Sequence, residues 1–378
     1  MSISEVLNNT LKGREHKLWA EIDLEALVRN YRRIEKLGRG AEVIPVIKAD
    51  AYGHGAVECM RALEDAGAGF FAVATVAEAI ELRKACGMAS KILILGYTLA
   101  QDVDLLEKYN IIQTVFSTDY ARELDDACER LKIGTLDVHI KLDTGMNRLG
   151  FDSKDAKNTA ELIKSADALK HLSVKGMFTH FACADEYASA LTDIQRERYD
   201  AVKRELGSKP EICHICNSAG IIRQDITAYD AVRAGIILYG HMPSGEFDLE
   251  DFETPMSLKA RVAHVHTLKP GDSVSYGAAF TADREMKIAT LPVGYADGFI
   301  RAYSKSSVRI NGKDCPIVGR ICMDQCMVDI GDADVKPGDV AVIFDSRKKV
   351  EELAKMSGTI TYEVLCLIGK RVPRIYVK

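Results

Sequence analysis

The chain has 378 residues, 47% hydrophobic and 28% charged, which is ordinary for a globular protein with room for two full cores. Its net charge of −5 gives no electrostatic basis for binding nucleic acid or an anionic membrane surface. No apolar run approaches the ~20 residues that span a bilayer, and the start, MSISEVLNNTLKGREHK, lacks the basic-then-apolar pattern of a secretory leader, so the chain is expected in the cytoplasm.

The first β-like run, LWAEID (18–23), pairs either with its neighbours in sequence or with a later domain. Eight short β-like runs come next: VIPVIK (43–48), GFFAVA (69–74), KILILG (91–96), IIQTVFS (111–117), LDVHIKLD (136–143), VKGMFTHF (174–181), EICHICNS (211–218) and AVRAGI (231–236). Between most of them lie segments with apolar residues at helical spacing: VAEAIELRKAC (76–86), TDYARELDDACERLK (118–132) and TDIQRERYDAVKRELG (192–207). Thr118 and Asp119 supply the expected cap chemistry. Near-continuous apolar strands separated by helices indicate a parallel sheet covered by helices. Eight such units predict an α/β fold, a (β/α)8 TIM barrel, over 1–247. A doubly wound sheet is the alternative, but no GxGxxG opens the first unit and eight strands exceed its usual six.

Near residue 250 the pattern changes. GEFDLEDFE (245–253) reads as an acidic, solvated connector. Beyond it, ARVAHVHTL (260–268), KIATLPVGY (287–295), SVRING (307–312) and DVAVIF (339–344) have β composition. Lys269-Pro270-Gly271-Asp272, Asn311-Gly312 and Lys336-Pro337-Gly338-Asp339 separate them as turns. No helix of ordinary length is expected between 258 and 345. These features predict a mainly β C-terminal domain over 248–378, with a helical segment at 349–369 before the final strand RVPRIYVK.

The ten cysteines are scattered, and only Cys213 and Cys216 form a CxxC. In the strand EICHIC, residues three apart would face opposite sides, which argues against a metal or redox pair. All ten are expected to be reduced thiols, and no metal site is expected.

Polar residues at the strand ends carry the chemistry. Lys48 closes the first barrel strand, with Tyr52 and His54 in a loop directly after it. An amine there can become a nucleophile for carbonyl compounds, the alternative being a solvated lysine. Lys141 lies in the fifth strand, with Arg148 in the TGMNRLGF loop after it. His180 is near the end of the sixth, Asn217 and Ser218 end the seventh, and Arg233 lies in the eighth, followed by Gly235. The carboxyl ends of TIM-barrel strands surround one site. An amine, hydroxyl and amide donors and two guanidiniums suit an anionic cofactor that forms imines. Pyridoxal phosphate fits, its aldehyde on Lys48 and its phosphate at Ser218 and the backbone amides around Gly235 and Ile236.

Taken together, VIPVIKADAYGHG, HIKLDTGMNRLG, THFACADE, NSAG, VRAGIILYG, SVSYGA, PVGYADG and GRICMDQ closely resemble bacterial alanine racemase over nearly the whole chain, in family order. The resemblance implies a pyridoxal 5′-phosphate-dependent isomerase that interconverts L- and D-alanine, a small amino-acid substrate, to supply peptidoglycan precursors. It implies a homodimer with shared active sites. The lysine matching Lys48 holds the cofactor and is one base. The tyrosine matching Tyr276, supplied by the β domain of the partner subunit, is the other. Racemisation needs such a pair, because a planar carbanion loses a proton on one face and gains one on the other. A free tyrosine ionises near ~10, so use as a base near neutrality asks for roughly 4 kcal/mol of stabilisation, which the His180 and Arg233 network would provide.

Arg233 is implied to face the pyridine nitrogen and, as a permanent donor, to keep it unprotonated. Arg148 is implied to bind the cofactor phenolate and the substrate carboxylate. The family often carries a carbamylated lysine where Lys141 stands. Tyr52, Ser218 and Tyr362 match phosphate contacts, with Asn217 in the same motif. Tyr295 and Met323 match partner-subunit residues of the substrate pocket, and Asp185 and Arg320 match the corridor leading to it. Cys216 and Cys183 stand where many relatives have alanine and threonine. His54, His214, His264 and His266 are read as hydrogen-bonded structural histidines.

Four rivals are weighed. A serine or broad-specificity racemase of the same family is disfavoured by Tyr362, which restricts the pocket in alanine-selective members. A basic amino-acid decarboxylase would lack a base matching Tyr276 and would place a carboxylate where Arg233 stands. A cofactor carrier would resemble the barrel alone, and a class I aldolase would bind no chromophore.

Overall fold

In the computed structural model, which describes residues 15–207, 210–223 and 229–377, the chain forms two compact units. One comprises residues 27–51 and 56–253; the other comprises the described residues through Ala26, residues 52–55 and everything from Thr254. Of the stretch read for a leader, residues 1–14 lie outside the described residues. After β1 (Leu18–Asp23) come the barrel strands: β2 (Glu42–Pro45), β3 (Phe70–Val73), β4 (Lys91–Ile94), β5 (Ile112–Val115) and β6 (Leu136–Asp143). A short β7 (Phe151–Asp152) pairs with β6, and β8 (Leu172–Phe178), β9 (Ile212–His214) and β10 (Ala231–Ala234) complete the set. All pairings are parallel, in the order β2-β10-β9-β8-β6-β5-β4-β3, and a bridge between Val46 and Ala72 nearly closes the ring. The expected eight-stranded parallel barrel is therefore present. Phe70–Val73 and Ala231–Ala234 are buried at every position, as strands covered on both faces must be.

The strand ends differ from the sequence reading. β2 stops at Pro45, so Lys48 lies three residues beyond the strand and opens a helical turn. β8 stops two residues before His180. β9 stops at His214, where Asn217 caps the helix Ser218–Ile222, so neither Asn217 nor Ser218 belongs to the strand. Cys216 likewise falls outside β9, and the alternation argument applied to the CxxC does not hold; both thiols are buried and all ten cysteines are free. The helix Thr118–Leu131 is capped by Ser117, whose hydroxyl accepts from the Tyr120 N–H, so Thr118 and Asp119 are its first turn and not its cap.

The connector 245–253 is docked rather than solvated. Phe247 and Phe252 are buried. The Glu253 carboxylate accepts from Arg29 (Nε 2.9 Å, Nη2 2.7 Å) and Arg33 (3.1 Å), and Asn30 holds its backbone in both directions. The aromatics between the acids supply the burial that charge alone does not.

The second unit is mainly β. Its strands are β1, β11 (Met256–Arg261), β12 (His264–Leu268), β15 (Met286–Leu291), β16 (Ser307–Ile310), β17 (Lys313–Val318), β18 (Cys326–Asp329), β19 (Val340–Phe344) and β20 (Arg374–Val377), in the order β12-β15-β18-β17-β16-β19-β11-β1-β20. LWAEID thus pairs antiparallel with β11 and parallel with β20. The hairpin of β13 (Ser273–Val274) and β14 (Phe280–Thr281) folds against Leu268, Met286, Ile288 and Val318. Among the described residues, only 3₁₀ turns interrupt the strands between 258 and 345. The helical segment expected at 349–369 is two helices, Arg347–Ser357 and Thr361–Cys366, broken at Gly358, whose φ of 67° ends the first. No helix among the described residues is long and apolar enough to cross a membrane.

Candidate active site

The backbone after Lys48 is left-handed. Ala49, Asp50 and Ala51 have φ/ψ near 53°/48°, and Tyr52 has φ 52°, with no glycine among them. Left-handed helix costs L-residues roughly 1–2 kcal/mol each, so four in a row need support from elsewhere. The Ala51 N–H reaches the Ile47 carbonyl at 3.0 Å, the Ala49 N–H reaches Glu78 Oε1 at 2.7 Å, and Asp50 Oδ1 accepts from the Ala56 N–H at 2.8 Å. Upstream, Val46 and Ile47 bond to Ala234 and Ala72 of the flanking strands. Lys48 is therefore fixed from both sides along the chain and is half-buried.

Arg233 is the hub of the barrel unit and is fully enclosed. Nη1 donates to His214 Nδ1 and to the His214 carbonyl, both at 2.8 Å. Nη2 donates to the Thr179 and Ile215 carbonyls (2.6 and 3.1 Å) and approaches His180 Nδ1 at 3.4 Å. Its Nε–H takes no acceptor among the described residues. Because Arg233 can only donate, His214 must accept at Nδ1 and carry its proton on Nε2, which then donates to His139 Nδ1 at 3.0 Å. His139 in turn carries its proton on Nε2, a buried atom with no partner among the described residues. Burial, then Lys91 and Arg233, push His139 down to about 3; burial and Arg233 hold His214 well below the usual histidine range. Both rings stay neutral, and the chain of hydrogen bonds has one polarity.

The His180 ring is driven far below its ordinary value by burial first, then by Arg233, Lys141, Arg148 and Lys48. Lys141 is buried, its Nζ 2.7 Å from the Leu142 carbonyl and 5.5 Å from the Phe178 ring centroid. Burial, Arg233 and Arg148, opposed by Asp143, push its amine down to about 7. Arg148 is exposed. Asp185 is half-buried in the loop beyond His180, and its carbonyl accepts from the Ser244 hydroxyl.

Ser218 Oγ accepts from the Gly235 N–H at 3.1 Å and from the Ile237 N–H at 3.5 Å, which leaves its own proton to donate. The Gly235 amide is thus already engaged by Ser218. Ile236 opens the 3₁₀ turn Ile236–Tyr239, whose Tyr239 hydroxyl donates to the Val46 carbonyl. Asn217 Oδ1 caps Gly220, and its amide donates to the Phe181 carbonyl.

In the second unit, Tyr52 is buried beside Tyr362, their ring centroids 6.1 Å apart. A Cβ at Gly53 (φ +82°) would sit 2.6 Å from the Leu365 carbonyl oxygen, so only glycine allows this approach. Elsewhere in that unit, Tyr276, Tyr295, Met323 and Arg320 gather. Ser275 Oγ donates to the Arg320 carbonyl at 2.7 Å, and the Arg320 guanidinium lies against Gly277. The Tyr295 and Ala296 N–H groups donate to the Cys322 and Met323 carbonyls, a contact that a Cβ at Gly294 would overlap. The Asp297 carboxylate fixes this turn, bonded to the Gly294 N–H and to Arg371, which also holds Asp324. Tyr276, Met323 and Tyr295 are 72%, 52% and 41% exposed, unusual for large apolar side chains on backbone this well tied.

The barrel residues suit an anionic, aldehyde-bearing aromatic cofactor: a lysine amine, a Ser218 hydroxyl at a 3₁₀ start, and a guanidinium with one N–H unclaimed, able to meet a ring-nitrogen acceptor. Sequence reasoning missed two supporting residues. His214 was read as structural, and His139 was not singled out. Only their three-dimensional line to Arg233 distinguishes them; a lone histidine inside an apolar strand carries no such signal.

Two family models cover most of the chain: "Alanine racemase, N-terminal domain" matches residues 22–243 and "Alanine racemase, C-terminal domain" matches residues 255–376. The alanine racemase of Clostridium novyi (strain NT) is 44% identical over 375 residues, covering 96% of this chain and 95% of that protein. The solved alanine racemase of Clostridium difficile 630 superposes with a TM-score of 0.91 at 40% identity, covering 96% of each chain. That of Bartonella henselae, with covalently bound pyridoxal phosphate, superposes with a TM-score of 0.86 at 30% identity, covering 96% of this chain and all of the other.

Proposed function

The chain belongs to the alanine racemase family and is an isomerase, an amino-acid racemase, and on that premise we propose that it interconverts L- and D-alanine with pyridoxal 5′-phosphate by a two-base mechanism. The observation that carries this reading is the enclosed Arg233, fixed through both terminal nitrogens by His214, Thr179 and Ile215, with its Nε–H left to meet a ring-nitrogen acceptor. The bound cofactor would supply the electron sink that acidifies the substrate α-proton.

Lys48 Nζ would hold the cofactor covalently and exchange a proton on one face of the substrate carbon. A Tyr276 hydroxyl from a second subunit would exchange a proton on the opposite face. The exposure of Tyr276, Tyr295 and Met323 supports a homodimer in which a second copy covers them. Arg233 Nε would hold the ring nitrogen as a fixed donor, which keeps that nitrogen unprotonated. Ser218 and the amide of Ile236 would bind the phosphate, with Asn217 and Gly235 shaping that loop and Tyr52 and Tyr362 as further contacts. Arg148 would bind the substrate carboxylate, Tyr295 and Met323 from a second subunit would line the pocket, and Tyr362 would restrict it to a small side chain. Asp185 and Arg320 would line the approach.

Lys141, with a substantial neutral fraction near pH 7, would react with carbon dioxide: its nitrogen forms a bond to carbon, one proton leaves, and the resulting carbamate anion would position Arg148. The ten free thiols are consistent with a reducing compartment, the cytoplasm, where the D-alanine formed would feed peptidoglycan precursors. Borohydride reduction of the purified protein followed by peptide mass spectrometry tests the reading. The cofactor is expected on Lys48, and a label on any other lysine refutes it.

A further inference from the structure

We infer that Glu78 is a positioning residue for Lys48, holding the left-handed turn on which that lysine sits; the inference rests on the role of Lys48 proposed above. Glu78 is the third residue of the helix Val76–Cys86 and forms a capping box with Thr75. That motif accounts for one carboxylate oxygen: Oε2 accepts from the Thr75 N–H at 3.2 Å and from the Ala74 N–H at 2.8 Å, while Thr75 Oγ1 accepts from the Glu78 N–H. It does not account for the other. Oε1 reaches 29 residues back along the chain and accepts from the Ala49 N–H at 2.7 Å. Ala49 is the residue next to Lys48 and the first of the four left-handed residues.

One carboxylate thus joins the turn bearing Lys48 to the rigid start of a helix in the next βα unit. The pattern also explains the residue type. Both oxygens face N–H donors, so an acceptor is needed on each side. Glutamine offers one acceptor and one donor, and its amide would point N–H at N–H on one side or the other. A helix cap alone makes no such demand on Oε1.

The test separates capping from positioning with two variants of the holoenzyme. T75A removes the hydroxyl half of the cap and leaves the Glu78 bridge; E78Q breaks the bridge. Three readouts are compared: amide hydrogen exchange across residues 48–56, the pH profile of the cofactor absorbance, and kcat against KM. E78Q is expected to speed exchange at residues 49–52 by about tenfold or more, to shift the absorbance profile, and to lower kcat about 10- to 100-fold with little change in KM, as misplacement of a reacting group does. T75A is expected to lower Tm yet leave all three near wild type.

If E78Q fails to fold, E78D serves: it keeps the charge, is too short to span both partners, and is expected to move the same readouts. Equal effects of E78Q and T75A, or an E78Q indistinguishable from wild type, overturn the inference while borohydride still labels wild-type Lys48. A wild type that takes no label on Lys48 overturns the reading beneath it and the inference together.

Discussion

Replacing Lys141 with methionine isolates the cost of a buried amine. The wild-type side chain is enclosed, with its amine pushed from 10.5 down to about 7 by burial and by Arg233 and Arg148. The folded value lies below the unfolded one, so between pH 7 and 10.5 the unfolded chain binds more protons, and stability rises with pH in that window. Below pH 7 the fold carries the full penalty, about 5 kcal/mol at 1.36 kcal/mol per pKa unit. K141M carries none at any pH, so the difference between the two proteins reports Lys141 alone. Urea unfolding in buffer free of carbon dioxide is expected to show K141M more stabilised, relative to wild type, at pH 7 than at pH 9, by about 2 kcal/mol. Bicarbonate at pH 8 is then expected to stabilise the wild type only, with one carbon dioxide added in the intact mass, because the neutral amine becomes a carbamate facing two guanidiniums. Parallel pH profiles for wild type and K141M would refute the argument, since they would mean that Lys141 does not titrate in this window.

Three further outcomes are expected. Mixing inactive K48A and Y276F chains and allowing subunits to exchange should restore about a quarter of wild-type activity, because half the dimers are hybrids and each hybrid holds one intact site of two; no recovery would place Tyr276 in the same chain's site or in none. S218A should weaken retention of the cofactor about tenfold, the worth of one hydrogen bond to an anion, in a competition with free pyridoxal phosphate, and an unchanged affinity would remove Ser218 from the phosphate site. Nitrogen-15 spectra of histidine-labelled protein should find His139 and His214 neutral with the proton on Nε2 across pH 5–8; stability they contribute is complete above ~6.5 and lost only as pH falls toward the depressed values.

The barrel was legible because parallel strands buried on both faces must be nearly continuous apolar runs. VAEAIELRKAC maps residue for residue onto the helix Val76–Cys86 for a related reason: its apolar residues recur at helical spacing. Strand ends were less legible. VIPVIK reads as one run because burial and bonds to the flanking strands continue through Val46 and Ile47, past the last strand residue Pro45, so composition does not mark where the strand gives way to the turn at Lys48. The turn after Lys48 could not be read at all. Left-handed backbone is forecast from glycine or asparagine, and Ala49, Asp50, Ala51 and Tyr52 include neither; their conformation is imposed by bonds to residues elsewhere in the chain. The acidic connector misled for the opposite reason, since a count of charges hid the two phenylalanines and the arginine pair that dock it.

The site divides along the same line. Lys48, Arg233 and Ser218 could be singled out because each residue type suggests its own chemistry: an amine, a permanent cation, a hydroxyl beside backbone amides. His139, His214 and Glu78 act by holding something else, and a strand histidine or a cap glutamate is the commonest form such residues take. What distinguishes them is a partner far away in sequence: 75 residues separate His139 from His214, and 29 separate Glu78 from Ala49. Their substitution will lower stability as well as activity, so a loss of turnover alone cannot reveal the role. A tautomer, an exchange rate or a pH profile can, because each reports the geometry of the held group rather than the survival of the fold.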